Sequence, residues 1–194
     1  MKKIYAYYES IALSNQPEEF ACANHWKASW EQNGWEPVML NRSHAQGSHL
    51  YNKLQQRMMN SAMGLPAELS TRFHWITARF ARWCALHAAG GGWMCDYDVF
   101  NKSFKPETAD KSEGKDTLVI VGDPAFLFYA TKEHAAAAIT KLSRADIIEN
   151  NSLASEHKLL GVELTTKGLA KQVVHAKSQD QTTRSEIMGN LMKK

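Results

Sequence analysis

Cysteine is scarce in this chain. Cys22, Cys84 and Cys95 form no CxxC pair and leave one over from any pairing, so neither a disulfide framework nor a structural zinc is expected, and a reducing, cytoplasmic setting is. No apolar run approaches the roughly eighteen residues that a spanning helix needs, and the apolar part of the opening MKKIYAYYES is shorter than a leader peptide requires. No membrane span is therefore expected. An excess of charge is lacking too: the formal net charge is +3, with basic residues scattered except at the two termini, which gives no argument for nucleic acid and leaves anionic small ligands open. Internal repeats, low-complexity segments and linkers are absent, so the 194 residues read as one folded domain over residues 1–175 and a polar helix or tail over 176–194.

What the sequence does have is one organised stretch, residues 71–100. Phe73, Ile76, Phe80, Trp83 and His87 recur at spacings of three and four and so share a helical face, and Gly90, Gly91 and Gly92 supply a left-handed stop. A strand is predicted over residues 93–100. It carries Asp96-Tyr97-Asp98, and alternation along a strand would turn both carboxylates to the same side. Two convergent, acceptor-only groups at the carboxyl end of a strand make a hard oxygen site for Mg²⁺ or Mn²⁺, whose remaining positions suit phosphate oxygens. A bare Asp-x-Asp pair also arises as a solvated turn.

The order of features here, Arg82 on the helix, Gly91-Gly92, Trp93 and then Asp96-Tyr97-Asp98-Val99, resembles the sugar-binding region with a DXD motif found in glycosyltransferases of the glycosyltransferase-A fold, such as capsular polysaccharide and mannosyltransferase-like enzymes. The helix runs one residue longer before the glycines than in that family, and Arg79 stands where an acid is common. The resemblance implies a nucleotide-diphospho-sugar transferase-like domain over residues 1–175. Its activity would be that of a metal-dependent hexosyltransferase, with a UDP- or GDP-sugar as donor and a glycan, lipid-linked or protein hydroxyl as acceptor, leaning towards retention. It implies Asp96 and Asp98 as metal ligands, with Asp96 also reaching the donor ribose. It further implies His175 as a third metal ligand from the end of the core, and Glu156, in Ser155-Glu156-His157, as an acid near the acceptor.

The rest of the chain reads as an α/β fold, a single-domain, open, mainly parallel sheet flanked by helices. Residues 3–9 are predicted as a strand, 18–32 as a helix with Trp26 and Trp30 on its core face, and 36–41 as a second strand after the Asn33-Gly34 stop, which makes a parallel β-α-β unit. Ligands of such sheets bind at the carboxyl ends of the strands, so Tyr8, Glu9, Ser10, Asn41 and Arg42 are expected to edge a nucleotide pocket. Tyr7 and Tyr8 are both candidates for stacking on a base; they point to opposite faces, so one of them turns outward. A helix is predicted over residues 48–63. Arg72, Arg79 and Arg82 lie in one quadrant of the central helix, where guanidinium groups suit a diphosphate or a solvated surface. Residues 101–116 are expected to be a loop bordering the site, 117–121 and 126–130 strands separated by Asp123, 132–142 and 146–160 helices, and 172–175 a last strand ending in His175.

Two other functions fit parts of the sequence. Asp98 followed by Glu113-Gly114-Lys115 is an acid and Glu-x-Lys arrangement able to hold Mg²⁺ and a phosphodiester, as in nucleases and phosphodiesterases. A catalytically inactive nucleotide-sugar-binding module is the non-enzymatic alternative.

Overall fold

A computed structural model of the chain describes residues 1–9, 16–63, 67–113, 119–121, 127–144, 148–149, 152–153, 160 and 172–175. The fold is α/β, a mixed, mostly parallel open sheet flanked by helices. Strand β1 (Lys2–Tyr7) leads through helix α1 (Gln16–Glu31) to β2 (Trp35–Leu40), and β1 and β2 pair in parallel with Ala6 opposite Met39. Pro17 and two glutamates open α1 in the sequence, as suits the positive end of a helix, and Gly34 at φ 86° reverses the chain behind it. The parallel unit read from the sequence is therefore present.

Between β2 and the central helix lie two helices, α2 (Arg42–Gln46) and α3 (Tyr51–Ala62). The sequence reading merged the second into a longer helix and missed the first. Asn41 caps α2 through its side-chain oxygen, which accepts from His44 N at 3.3 Å, while Asn41 N donates to His44 Nδ1 at 3.2 Å. That is a capping box built with His where Glu or Gln is the usual signal.

Helix α4 (Ala67–Ala88) buries the predicted stripe of Phe73, Ile76, Phe80, Trp83 and His87 and stops at Gly90. Strand β3 (Gly91–Cys95) follows, then β4 (Val99–Asn101), so the single strand expected over 93–100 is in fact two strands with a turn between them. The expected loop after it contains helix α5 (Pro106–Ser112), whose Pro in the first turn, early Glu107 and late Lys111 are start and stop signals. Beyond it are β5 (Val119–Val121), β6 (Leu127–Thr131) and α6 (Lys132–Leu142), the last with the bounds expected. The helix predicted over 146–160 is contradicted at residues 148–149 and 152–153. Instead β7 (Ile148–Glu149) and β8 (Ser152–Leu153) pair antiparallel, in a stretch whose sequence holds two consecutive asparagines, poor helix formers. Strand β9 (Val173–His175) pairs antiparallel with β4.

The main sheet has the order β2-β1-β3-β6-β5; β1 is parallel to both its neighbours, whereas β6 runs against β3 and β5. Both faces are covered over residues 4–7, which is why that part of β1 reads as a continuous apolar run. Ile4 and Ala6 face a cluster of Trp26, Trp30, Trp35, Trp93 and Phe104 under α1, while Tyr5 and Tyr7 face Trp83, Phe80 and Phe128 under α4 and α6. Among the described residues no helix is long and apolar enough to cross a membrane.

The glycine run does two separate jobs. Gly90 (φ 95°) ends α4 with open space around its missing side chain, whereas a Cβ on Gly91 (φ 90°) would lie 2.6 Å from Lys132 N and 2.8 Å from Ala130 O. Gly91 thus permits close backbone contact where β6 passes into α6. Gly90→Ala should cost about 1 kcal/mol for the left-handed backbone alone. Gly91→Ala should cost roughly 2–4 kcal/mol, strain and overpacking together. Urea unfolding of the two variants checks this, and equal losses would refute the contact argument.

Candidate functional site

The parallel register sets the site's location. Ala6 pairs with Cys95 and Tyr7 with Leu40, so the residues that follow, Tyr8, Asn41 and Asp96, emerge at one edge of the sheet. Tyr8 N donates to Leu40 O at 2.9 Å, extending the β1–β2 pairing by one residue. Asp96, Tyr97 and Asp98 lie beyond the end of β3 in a turn closed by a 3.0 Å bond from Val99 N to Asp96 O. Strand alternation therefore does not aim the two carboxylates, contrary to the sequence reading. The turn gives them different surroundings: the Asp96 side chain is 28% exposed, while Asp98 is buried at 7%.

Arg82 is the second element. Its residue is 2% exposed, Nη1 donates to Asp96 Oδ1 at 2.5 Å, and Cζ lies 4.9 Å from the centroid of the Phe128 ring. The solvated-surface alternative for this arginine is excluded by burial. A guanidinium so enclosed requires a charged partner and an accommodating aromatic face, and it has both. Arg79, one turn earlier, is half-buried, and the side chain of Arg72 lies outside what is described.

The two tyrosines separate as alternation requires. Tyr7 is buried and its hydroxyl donates to Glu9 Oε2 at 2.8 Å; Glu9 is also ion-paired with Arg42. Burial, with Glu9 beside it, pushes the Tyr7 phenol well above its usual range, so it remains a neutral donor. Tyr8 is half-buried, donates to Glu19 Oε2 at 2.6 Å and meets Tyr97 edge-to-face with ring centroids 5.4 Å apart. Glu19, only 7% exposed, is a residue that sequence reasoning missed, because an acid in the first turn of a helix looks like ordinary dipole compensation.

Other candidates fall as follows. Val99 is the register partner of His175, so the β4–β9 pairing brings His175 alongside the residue that follows Asp98. Glu156, Asp123 and Ser10 lie outside the described residues. Among the described side chains no group of three or more His, Cys, Asp or Glu converges. Glu113 accepts 2.6 Å bonds from Lys2 Nζ and Trp93 Nε1 on the side of β1 and β3 away from Asp98, and Lys115, the other member of the Glu-x-Lys arrangement, lies outside the described residues. Burial pushes the Cys84 thiol up to about 12 and the Cys95 thiol well above its usual range, which keeps both protonated and poor nucleophiles at neutral pH.

If Arg82 and Asp96 hold each other, their substitutions must be coupled. In a double-mutant cycle of Arg82→Met and Asp96→Asn followed by urea unfolding, each single variant should lose stability, and the double variant should recover about 1–3 kcal/mol of the summed loss. Additivity within about 0.5 kcal/mol would mean that the pair is not energetically linked.

Comparison with protein-family models, with curated proteins and with solved structures gives no match in any of the three.

Proposed function

We propose that the chain is a metal-dependent glycosyltransferase of the glycosyltransferase-A type, moving a hexose from a UDP- or GDP-sugar to a hydroxyl acceptor with retention. The observation that carries this reading is the Asp96-Tyr97-Asp98 turn at the carboxyl edge of an open sheet, with a buried arginine bound to its first acid. That edge is where such sheets receive nucleotides. The donor set fits a hard divalent cation: two carboxylates, with the imidazole of His175 as a third candidate.

Mn²⁺ or Mg²⁺ bound there supplies Lewis-acid stabilisation to the diphosphate that departs. Asp98 is the acid committed to the cation. Asp96 divides its two oxygens between Arg82 and the ligands, and Arg82 contributes a fixed positive charge behind it. Tyr8, half-buried and held by Glu19, is the better placed of the two tyrosines to meet a base, since Tyr7 is buried with its hydroxyl on Glu9. Glu156 remains the proposed acid near the acceptor. The separation of Glu113 from Asp98 weighs against a nuclease.

A thermal-shift screen of UDP- and GDP-sugars, with and without Mn²⁺, tests the reading, because a ligand specific for the folded state raises its apparent stability by mass action. At least one donor should give a Mn²⁺-dependent shift, and donor hydrolysis should fall by about a hundredfold or more in Asp98→Ala, of the order found on losing a principal electrostatic group. No metal-dependent shift with any donor, or near wild-type hydrolysis in Asp98→Ala, would sink it. A shift without hydrolysis would indicate the inactive binding module.

His175→Ala should lower Mn²⁺ affinity and narrow the gap between Mn²⁺-supported and Mg²⁺-supported activity, since imidazole suits manganese better than magnesium. An unchanged Mn²⁺ titration would remove His175 from the ligand set.

A further inference from the structure

Helix α1 bonds to the backbone or side chain of each residue that flanks the two aspartates. Cys22, Trp26 and Trp30 are spaced by four and so share one face of α1. Trp26 Nε1 donates to Cys95 Sγ at 3.1 Å, just before Asp96; Cys22 Sγ donates to Tyr97 O at 3.7 Å, between the acids; Trp30 Nε1 donates to Val99 O at 2.9 Å, just after Asp98. All three donor residues are fully buried, where an indole N–H must find an acceptor, so the two indole bonds restrain direction as well as distance and the long thiol contact adds a weaker restraint. Tyr97 and Asp98 lie between the end of β3 and the start of β4, outside any strand pairing. The backbone on either side of the two carboxylates is thus tied to α1, while Arg82 of α4 holds the Asp96 side chain itself.

We propose that Trp26 and Trp30, with Cys22 as a weaker third contact, are positioning residues that set the aim of Asp96 and Asp98 and thereby the affinity for a divalent cation; this rests on the metal-site reading above. Trp35 provides an internal control. It too is fully buried and donates its indole N–H to a carbonyl, Phe104 O at 2.7 Å, but that carbonyl does not flank the aspartates.

The experiment is a Mn²⁺ titration of the full chain, read by the electron paramagnetic resonance of free Mn²⁺, alone and with UDP or GDP present. It compares wild type, Asp98→Ala, Trp26→Phe, Trp30→Phe and Trp35→Phe, with urea unfolding of each. Phenylalanine keeps most of the ring and deletes the N–H. All three Trp→Phe variants should lose comparable stability, while Trp26→Phe and Trp30→Phe weaken Mn²⁺ binding about tenfold, as removal of ligand-orienting contacts does, and Trp35→Phe leaves it within about twofold. If either Trp26→Phe or Trp30→Phe does not fold, the other carries the comparison with Trp35→Phe. Equal Mn²⁺ affinities in all three variants would overturn the positioning role while Asp98→Ala still abolishes binding. Wild type and Asp98→Ala binding Mn²⁺ equally would overturn the metal reading itself, and the positioning role with it.

Discussion

A guanidinium shut inside a protein needs a carboxylate, and Arg82 has Asp96. That requirement ties the longest helix of the molecule to the end of its central strand. Trp83, the next residue, stacks on Phe128 with centroids 4.4 Å apart, and Arg82 itself rests on the same ring, so the position of the guanidinium is set by the packed core. Asp96 inherits that rigidity. A buried ion pair is weak evidence for stability, because desolvation offsets much of its attraction, but it specifies one arrangement by penalising every other. The site therefore has one acid already neutralised from behind, Asp96, and a second, Asp98, that is buried. Two carboxylates two residues apart come to occupy unlike environments, which suits unlike roles.

Much of the fold was legible because long elements repeat. The five-residue stripe of α4 spans enough turns for a period to show, α1 and α6 are marked by the Trp26–Trp30 pair and by a run of alanines, and Gly34 and Gly90 mark the ends of α1 and α4. Short elements do not carry a period. Helix α2 buries Ala45 alone, and in α5 the buried residue is Ala109, so neither presents a stripe; only caps and first-turn proline betray them. The break between β3 and β4 was faint for another reason. Neither Gly nor Pro interrupts residues 93–100, and the turn closed by the bond from Val99 N to Asp96 O was signalled only by the alternative reading of the Asp-x-Asp pair as a solvated turn.

The candidate site was legible as residues and not as geometry. Asp96, Asp98 and Arg82 stand out in the sequence by type and order, but that Arg82 reaches Asp96 depends on how α4 lies across β3, which is a matter of packing. Glu19 and Tyr97 show the converse. Their types are ordinary, and only the meeting of α1, β1 and the turn makes one the anchor and the other the neighbour of Tyr8. At the far edge, Lys2, Trp93 and Glu113 use similar chemistry to close the start of the sheet.

The indole bonds of Trp26, Trp30 and Trp35 all span the same 69 residues of sequence, so the strip from α1 to β2 and the strip from β3 to Phe104 face each other with a constant offset. Closing a loop of that length is an entropic cost that local structure cannot defray. During synthesis the first strip therefore emerges with its partner still unmade, three large indoles uncovered, until Phe104 has left the ribosome. A nascent chain in that interval carries uncovered apolar surface, the condition under which chains aggregate or engage chaperones, and the interval's length is set by the separation of these two strips in the sequence.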